Sequence, residues 1–264
     1  MTGIKLATAL DGTELAYRED GGEDLGRCGL FWLGGFKSDM DGSKAEALAA
    51  LARDTRRSSL RFDYSGHGAS GGNFADGTIS AWLAQALHMF TRHAPGRRII
   101  VGSSMGGWLA LLLYRALREN DPAAARRVAG MVLIAPAADM TADLMWDIFP
   151  DNVKEEIAEK GVHLRPSLYG EPYPITAGLI TDGERHLLLK SGLQCDYPVR
   201  ILQGDTDPDV PPDHALKVFH ALSGGDITLT LVKGGDHRLS APSQLTLIRE
   251  TALRLAERAD GVTV

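Results

Sequence analysis

The sequence predicts an α/β fold: a mainly parallel, twisted sheet flanked by helices, with a small helical lid inserted between core strands. Two observations predict the core. Short apolar runs alternate with amphipathic helical patterns along most of the chain, which is how a parallel sheet covered by helices reads. A length of 264 residues with 44% hydrophobic content suffices for one large core. A third predicts the insertion: the alternation breaks once, between residues 139 and 198.

The elements follow in order. IKLATA and ELAYRE flank LDGT, whose Asp-Gly is a hairpin turn signal. GLFWLG is a buried strand, SKAEALAALARD a helix, SSLRFD a strand, and TISAWLAQALHMFTRH an amphipathic helix. RRIIVG, MGGWLALLLYRALREN and VAGMVLIAPA repeat the strand, helix, strand unit. After the interval, VRILQG, HALKVFHALS, ITLTLVKG and SQLTLIRETALRLAER continue as strand, helix, strand and helix. The core is therefore expected from residues 1–138 and 199–264, and the lid from 139–198. The lid stretch holds Met140, Met145, Trp146, Phe149, Tyr169 and Tyr173, several prolines, and the helical patterns DNVKEEIAEKG and ITAGLITDGERHLLL. Structureless loops of that length are uncommon in compact domains.

Composition excludes several function classes. A net charge of −6 without any Lys/Arg run argues against nucleic-acid binding. The N-terminal MTGIKLATALDGTELAY has neither a basic region followed by a long apolar run nor a membrane-length apolar segment, so a soluble cytoplasmic protein without stable membrane insertion is expected. Cys28 and Cys195 stand far apart, with no Cys-x-x-Cys or clustered His, which favours reduced thiols over a disulfide or zinc site.

Residues 99–108, IIVGSSMGGW, carry the chemistry. With 30 glycines in the chain, a Gly-x-Ser-x-Gly match alone is weak, and a glycine-rich turn without chemistry is the alternative. The context is stronger: an apolar strand ends at Gly102 and an apolar helix begins after Ser104, the setting of a nucleophile elbow. Ser104 holds the central position and Ser103 a variable one. Gly102 and Gly106 provide the space that the tight turn needs, and Gly107 adds room for helix packing. The helix N-terminus offers unpaired N–H groups, so the Met105 amide is a candidate oxyanion donor.

A serine hydroxyl needs an imidazole base, which in turn needs an orienting carboxylate. On this scaffold the chain order is Ser, acid, His. VRILQGDTDPDVPPDHA places Asp205, Asp207 and Asp209 just after a strand. The Gly204, Asp207, Val210, Pro211 spacing favours Asp207, with Asp205 second; each acid alone also reads as a solvated turn-former. ITLTLVKGGDHRLSAPSQ places His237 between the last strand and last helix. His88, His93, His186, His214 and His220 fall in helical patterns and are expected at the surface or half-buried, His163 falls in the lid, and His67 in a Gly-rich loop reads as structural. Asp236 is poorly placed to serve its own neighbour. In LGGFKSDM, the bare glycines make the Phe36 backbone N–H a second oxyanion candidate.

Together GLFWLGGFKSDMDGSKA, LRFDYSGHGASGG, VGSSMGGWLALLL, GVHLRPSLYG, HLLL, DPDVP and DHRLS make the chain resemble the α/β-hydrolases over nearly its whole length. More narrowly, it resembles the acyl-glucuronide esterase and palmitoyl-protein thioesterase group (α/β-hydrolase domain-containing protein ten) and its bacterial relatives. The resemblance implies an α/β-hydrolase fold, with nucleophile Ser104, acid Asp207, base His237, and oxyanion amides at Phe36 and Met105. It implies cleavage of carboxylic esters or thioesters, on a small-molecule or S-acylated substrate, without metal or organic cofactor. Two departures stand out. Gly34-Gly35 replaces the His-Gly of many relatives, which leaves a backbone donor intact, and no Arg- and Ser-rich segment precedes the core, so mitochondrial targeting is not expected. A peptidase- or lipase-like hydrolase, or a non-catalytic acyl-ligand receptor, would share this pattern; a broken triad would mark the receptor.

Overall fold

The computed structural model describes residues 3–22, 24–167 and 170–262; Tyr169, assigned above to the lid, lies outside them. The main sheet has eight strands: β1 (Lys5–Thr8), β2 (Glu14–Gly21), β3 (Gly29–Leu33), β4 (Ser58–Phe62), β5 (Arg98–Ser103), β6 (Val128–Ile134), β7 (Val199–Gly204) and β8 (Ile227–Val232). Their spatial order is 1-2-4-3-5-6-7-8. The expected hairpin forms, with β1 antiparallel to β2, and β2 also pairs antiparallel with β4. Every later pairing is parallel.

Alternation along the central strands sorts side chains onto two helical layers, as a two-sided buried sheet requires. Leu30, Trp32, Ile99, Val101, Val132 and Ile134 join one apolar cluster, packed under α1 (Ser43–Thr55) and the C-terminal α5 (Pro242–Ala259). Phe31, Leu33, Ile100, Met131 and Leu133 join the other, beneath α2 (Ile79–His93) and α3 (Met105–Asn120). A further core helix, α4 (Pro212–Ala221), packs its buried Ala215 and Val218 into this second cluster. β5 is buried along its whole length, so the RIIVGS run has neighbours on both edges and both faces.

Residues 139–198 lie between β6 and β7 and correct the all-helical expectation. They contain the expected helices, at Asp151–Lys160 and Ala177–Gly183, and a further short one at Met140–Asp143. They also contain an antiparallel hairpin of Val162–Ser167 with Gly170–Thr176. Pro166, Pro172 and Pro174 read as strand breakers, but in a two-stranded ribbon half the N–H groups face outward and need no partner, which admits proline. Pro166 falls where the register shifts, between Arg165 and Ser167. Among the described residues, no helix is long and apolar enough to cross a membrane.

Candidate active site

The carboxyl ends of β3, β5, β7 and β8 meet at one edge of the sheet, where doubly wound sheets form their clefts. Ser104, between β5 and α3, has φ 55° and ψ −120°, a conformation disfavoured for any residue with a side chain. The glycines around it make that turn possible. A Cβ on Gly102 would stand 2.2 Å from the Gly106 carbonyl oxygen, and one on Gly106 would stand 2.1 Å from that of Leu33. Ser104 N–H is held by Ile134 O at 2.9 Å, while Ser104 O accepts from Gly107 and Ala137 N–H at 2.9 and 3.1 Å. Ser104 occupies the N-cap position of α3, yet its hydroxyl caps nothing. It faces His237 instead, at 3.1 Å from Nε2.

Loops beyond β7 and β8 deliver the partners. Thr206 N–H and Oγ1 both donate to Gly235 O, at 3.0 and 2.8 Å, which knits the two loops together. His237 Nδ1 lies 2.9 Å from Asp207 Oδ2, and the Asp207 side chain is fully buried. Asp207 Oδ1 accepts from the Asp209 and Val210 N–H groups, each at 2.9 Å, and Oδ2 also accepts from Gln203 Nε2 at 3.0 Å. Burial favours the protonated acid, but the donation from His237, its charge, and the Val210 and Gln203 bonds more than offset this and hold the carboxyl below its usual range. Since the Asp207 carboxylate can only accept, Nδ1 carries the imidazole proton and Nε2 presents a lone pair to the Ser104 hydroxyl. That hydrogen-bond chain can take a proton from Ser104 and return it.

On the other side of Ser104 lies the loop after β3. A Cβ on Gly35 would be 3.3 Å from Ser104 Cβ, so the Gly34-Gly35-Phe36 backbone approaches the serine closely because side chains are absent. Among the described residues, neither the Phe36 nor the Met105 N–H donates to a protein acceptor. The Phe36 ring meets Phe74 at 4.9 Å, Trp82 at 5.8 Å and Tyr173 of the hairpin at 5.6 Å between centroids. The half-buried Phe36 and Tyr173 rings thus form an apolar surface beside the Phe36 amide, backed by the buried Phe74 and Trp82.

Residues 28–246 match the profile of the Alpha/beta hydrolase family. The chain belongs to the α/β-hydrolase family. It is 32% identical to the human palmitoyl-protein thioesterase ABHD10, mitochondrial, over 263 residues, which cover 99% of this chain and 82% of that protein. A crystal structure from Agrobacterium vitis S4, described provisionally as a hydrolase, is 42% identical with a TM-score of 0.91 and covers 97% of this chain and 99% of that one. The mouse α/β hydrolase domain-containing protein 10 structure is 31% identical with a TM-score of 0.83 and the same coverage. The fold implied by the sequence motifs is therefore present. The expected cytoplasmic location gains no support from the curated relative, whose name places it in mitochondria.

Within this α/β-hydrolase the competing residues separate cleanly. Asp205 is engaged elsewhere: Lys233 at 2.7 Å and the Gly234 N–H at 2.6 Å, led by the lysine, hold its carboxyl below the usual range. Asp209 is exposed, and Asp236 accepts from Leu239 N–H. Ser103 is buried at the end of β5. His214, expected at the surface or half-buried, is fully buried and bonded to Ala138 O at 2.8 Å, because the α4 face that carries it turns into the core. Asp207, Asp209 and His237 could offer metal-ligand atoms within 4.8 Å of one another. Asp207 already accepts four hydrogen bonds and His237 Nδ1 already faces it, so a cation there would have to break the chain to Ser104. Gln203 went unnoticed in the sequence: a lone glutamine in a buried strand forms no motif, and only its contact with Asp207 gives it meaning. Lys44, likewise unmarked, donates from Nζ to the Arg238 carbonyl at 2.5 Å, fastening the His237 loop to α1.

Proposed function

We propose that this chain hydrolyses carboxylic esters and thioesters through an acyl-enzyme on Ser104. The observation that carries the reading is the continuous hydrogen-bond chain Asp207, His237, Ser104 at a strained turn. Ser104 Oγ attacks the acyl carbonyl carbon as its proton passes to His237 Nε2. Asp207 keeps the ring oriented and stabilises the imidazolium. The carbonyl oxygen becomes an oxyanion, and the Phe36 and Met105 N–H groups, free of other acceptors, are suited to receive it; each such donor contributes about 3 kcal/mol of barrier lowering in comparable chemistry. The tetrahedral intermediate collapses, the bond to the leaving oxygen or sulfur breaks, and that atom takes the proton from Nε2. Water then adds to the acyl-enzyme, giving its proton to Nε2, and the second collapse releases the carboxylic acid and reprotonates Ser104.

The substrate reading is S-acylated or acyl-ester, with acyl glucuronides in the same class. It rests on the half-buried Phe36 and Tyr173 rings, backed by the buried Phe74 and Trp82 and suited to an apolar acyl group, and on the thioesterase named among the relatives. Residues 139–198 act as the lid, with Tyr173 as their contact to the Phe36 loop. Assays on acyl thioesters, acyl esters, an acyl glucuronide and aminoacyl amides, over increasing acyl length, test this reading. Turnover of the first three with little on amides is expected; amide preference, or acyl binding without turnover, would overturn it.

A further inference from the structure

The loop that carries the Phe36 amide is held by a residue far from the hydrolytic chain. His67, in the loop after β4, is 4% exposed, with its ring edge-on to Tyr64, Phe74 and Trp82 at 5.6, 5.1 and 5.2 Å. Its Nδ1 lies 3.1 Å from Ser65 O, and its Nε2 lies 3.2 Å from the Lys37 backbone N. A carbonyl can only accept and an amide N–H can only donate, so one tautomer satisfies both contacts: the neutral ring with its proton on Nδ1. Burial, ahead of a weaker repulsion from Lys37, pushes the pKa of this ring down to about 4, against the opposing pull of the Ser65 bond.

Lys37 has φ 60°, a left-handed conformation that a lysine does not adopt unless the surroundings impose it. Its N–H bond to His67 fixes the peptide plane on the C-terminal side of Phe36. Ser38 fixes the plane on the other side: its N–H and hydroxyl both donate to Gly35 O, at 3.2 and 2.8 Å. In a trans peptide the C=O and N–H point oppositely. Drawing the Gly35 carbonyl toward Ser38 therefore aims the Phe36 N–H the other way, and Gly35 itself lies against Ser104. Asp63 anchors the same loop further on, accepting from Met40 N–H at 2.6 Å, and also binds Ala69 N–H in the His67 loop at 2.9 Å.

We propose that His67 is a positioning residue for the oxyanion site, its neutral Nδ1–H tautomer receiving the Lys37 amide so that the Phe36 N–H stays aimed at the reacting carbonyl. This rests on the hydrolase reading above. The test compares an oxygen ester with its thionoester, whose carbonyl sulfur is a poor acceptor and gains little from oxyanion donors. In H67F, which keeps an aromatic ring but no acceptor, kcat on the oxygen ester is expected to fall about 10- to 100-fold with KM little changed. The thionoester rate should change far less, so the oxygen-to-sulfur rate ratio collapses. H67Q retains both an acceptor and a donor and should recover most of that ratio. A wild type with no preference for the oxygen ester removes the oxyanion reading itself. A wild-type preference that H67F retains in full, or equal losses on both substrates, removes the His67 assignment alone. Nitrogen NMR of the histidine-labelled wild type needs no variant: a neutral Nδ1–H ring at pH 7 is expected, and an Nε2–H ring overturns the proposal.

Discussion

Replacing Asp207 with Asn removes one charge and almost no volume, yet the surroundings turn it into a tautomer change. All four groups around the carboxylate donate: Asp209 and Val210 N–H to Oδ1, His237 and Gln203 to Oδ2. An asparagine has one acceptor oxygen and one donor NH₂. The two backbone donors cannot reverse, so the oxygen stays with them and the NH₂ faces His237. Gln203 cannot turn its amide round, because its Nε2 also donates to the Gly204 and Val210 carbonyls at 3.1 and 2.9 Å, so it loses its bond to the substituted side chain. His237 can accept only by moving its proton to Nε2, where it points at Ser104 and no longer takes the hydroxyl proton. A wrong-tautomer histidine of this kind costs about 10⁴ in kcat, or about 5 kcal/mol of transition-state stabilisation. Steady-state hydrolysis of an activated aryl ester measures the loss, and the labelling rate with a fluorophosphonate, which needs the same proton transfer, should fall in parallel. D205N and D209N serve as controls and are expected to stay within about threefold of wild type, since His237 hydrogen-bonds Asp207 and Ser104 but neither Asp205 nor Asp209. A D207N enzyme within tenfold of wild type, or a comparable loss in D205N, refutes the reasoning.

Three further outcomes follow from the packing. G106A forces a Cβ to 2.1 and 2.5 Å from the Leu33 and Gly34 carbonyl oxygens, both backbone atoms unable to give way; a loss of about 3 kcal/mol, or roughly 10 °C in Tm by calorimetry, is expected, and an unchanged Tm contradicts the close approach. Cys28 and Cys195 are both buried, and burial pushes each thiol up to about 11, so a thiol reagent at pH 8 should leave native protein unmodified for minutes and label both after unfolding; fast native labelling contradicts this. The His67 pKa is depressed to about 4, so the unfolded chain binds a proton from about pH 6.5 downward that the folded chain refuses. Its stabilising contribution is present above pH 6.5 and is lost as pH falls toward 4, by up to about 3 kcal/mol. Urea unfolding should therefore show the stability gap between wild type and H67F narrowing from pH 7 to 4.5, and a constant gap contradicts it.

What could be read from the chain alone depended on how local its cause was. The turn at Ser104 was legible because its pattern lies within five residues: Gly102 is glycine because of the backbone of Gly106, and the spacing also marks Gly106, although the backbone that excludes a side chain there is that of Leu33 and Gly34. That Asp207 rather than Asp205 meets His237 was legible through Val210, whose N–H bonds the carboxylate, and Gly204, where a side chain would strike Gly235 O. His237 followed from chain order. The hairpin at Val162–Thr176 was obscured by three prolines, since a sequence does not announce which N–H groups will face outward. Gln203 and His67 were hidden for another reason. Gln203 meets Asp207 only four residues further along the chain, but no motif marks the pair, whereas Lys37 comes within reach of His67 because β3 and β4 are neighbours in the sheet.

Mass spectrometry of the protein after fluorophosphonate treatment reads the proposed role of Ser104 most directly. A single adduct is expected on Ser104, with Ser103 unmodified, and in S104A both the adduct and ester turnover should vanish. An adduct on another serine, or S104A turnover near the wild-type rate, would contradict Ser104 as the nucleophile.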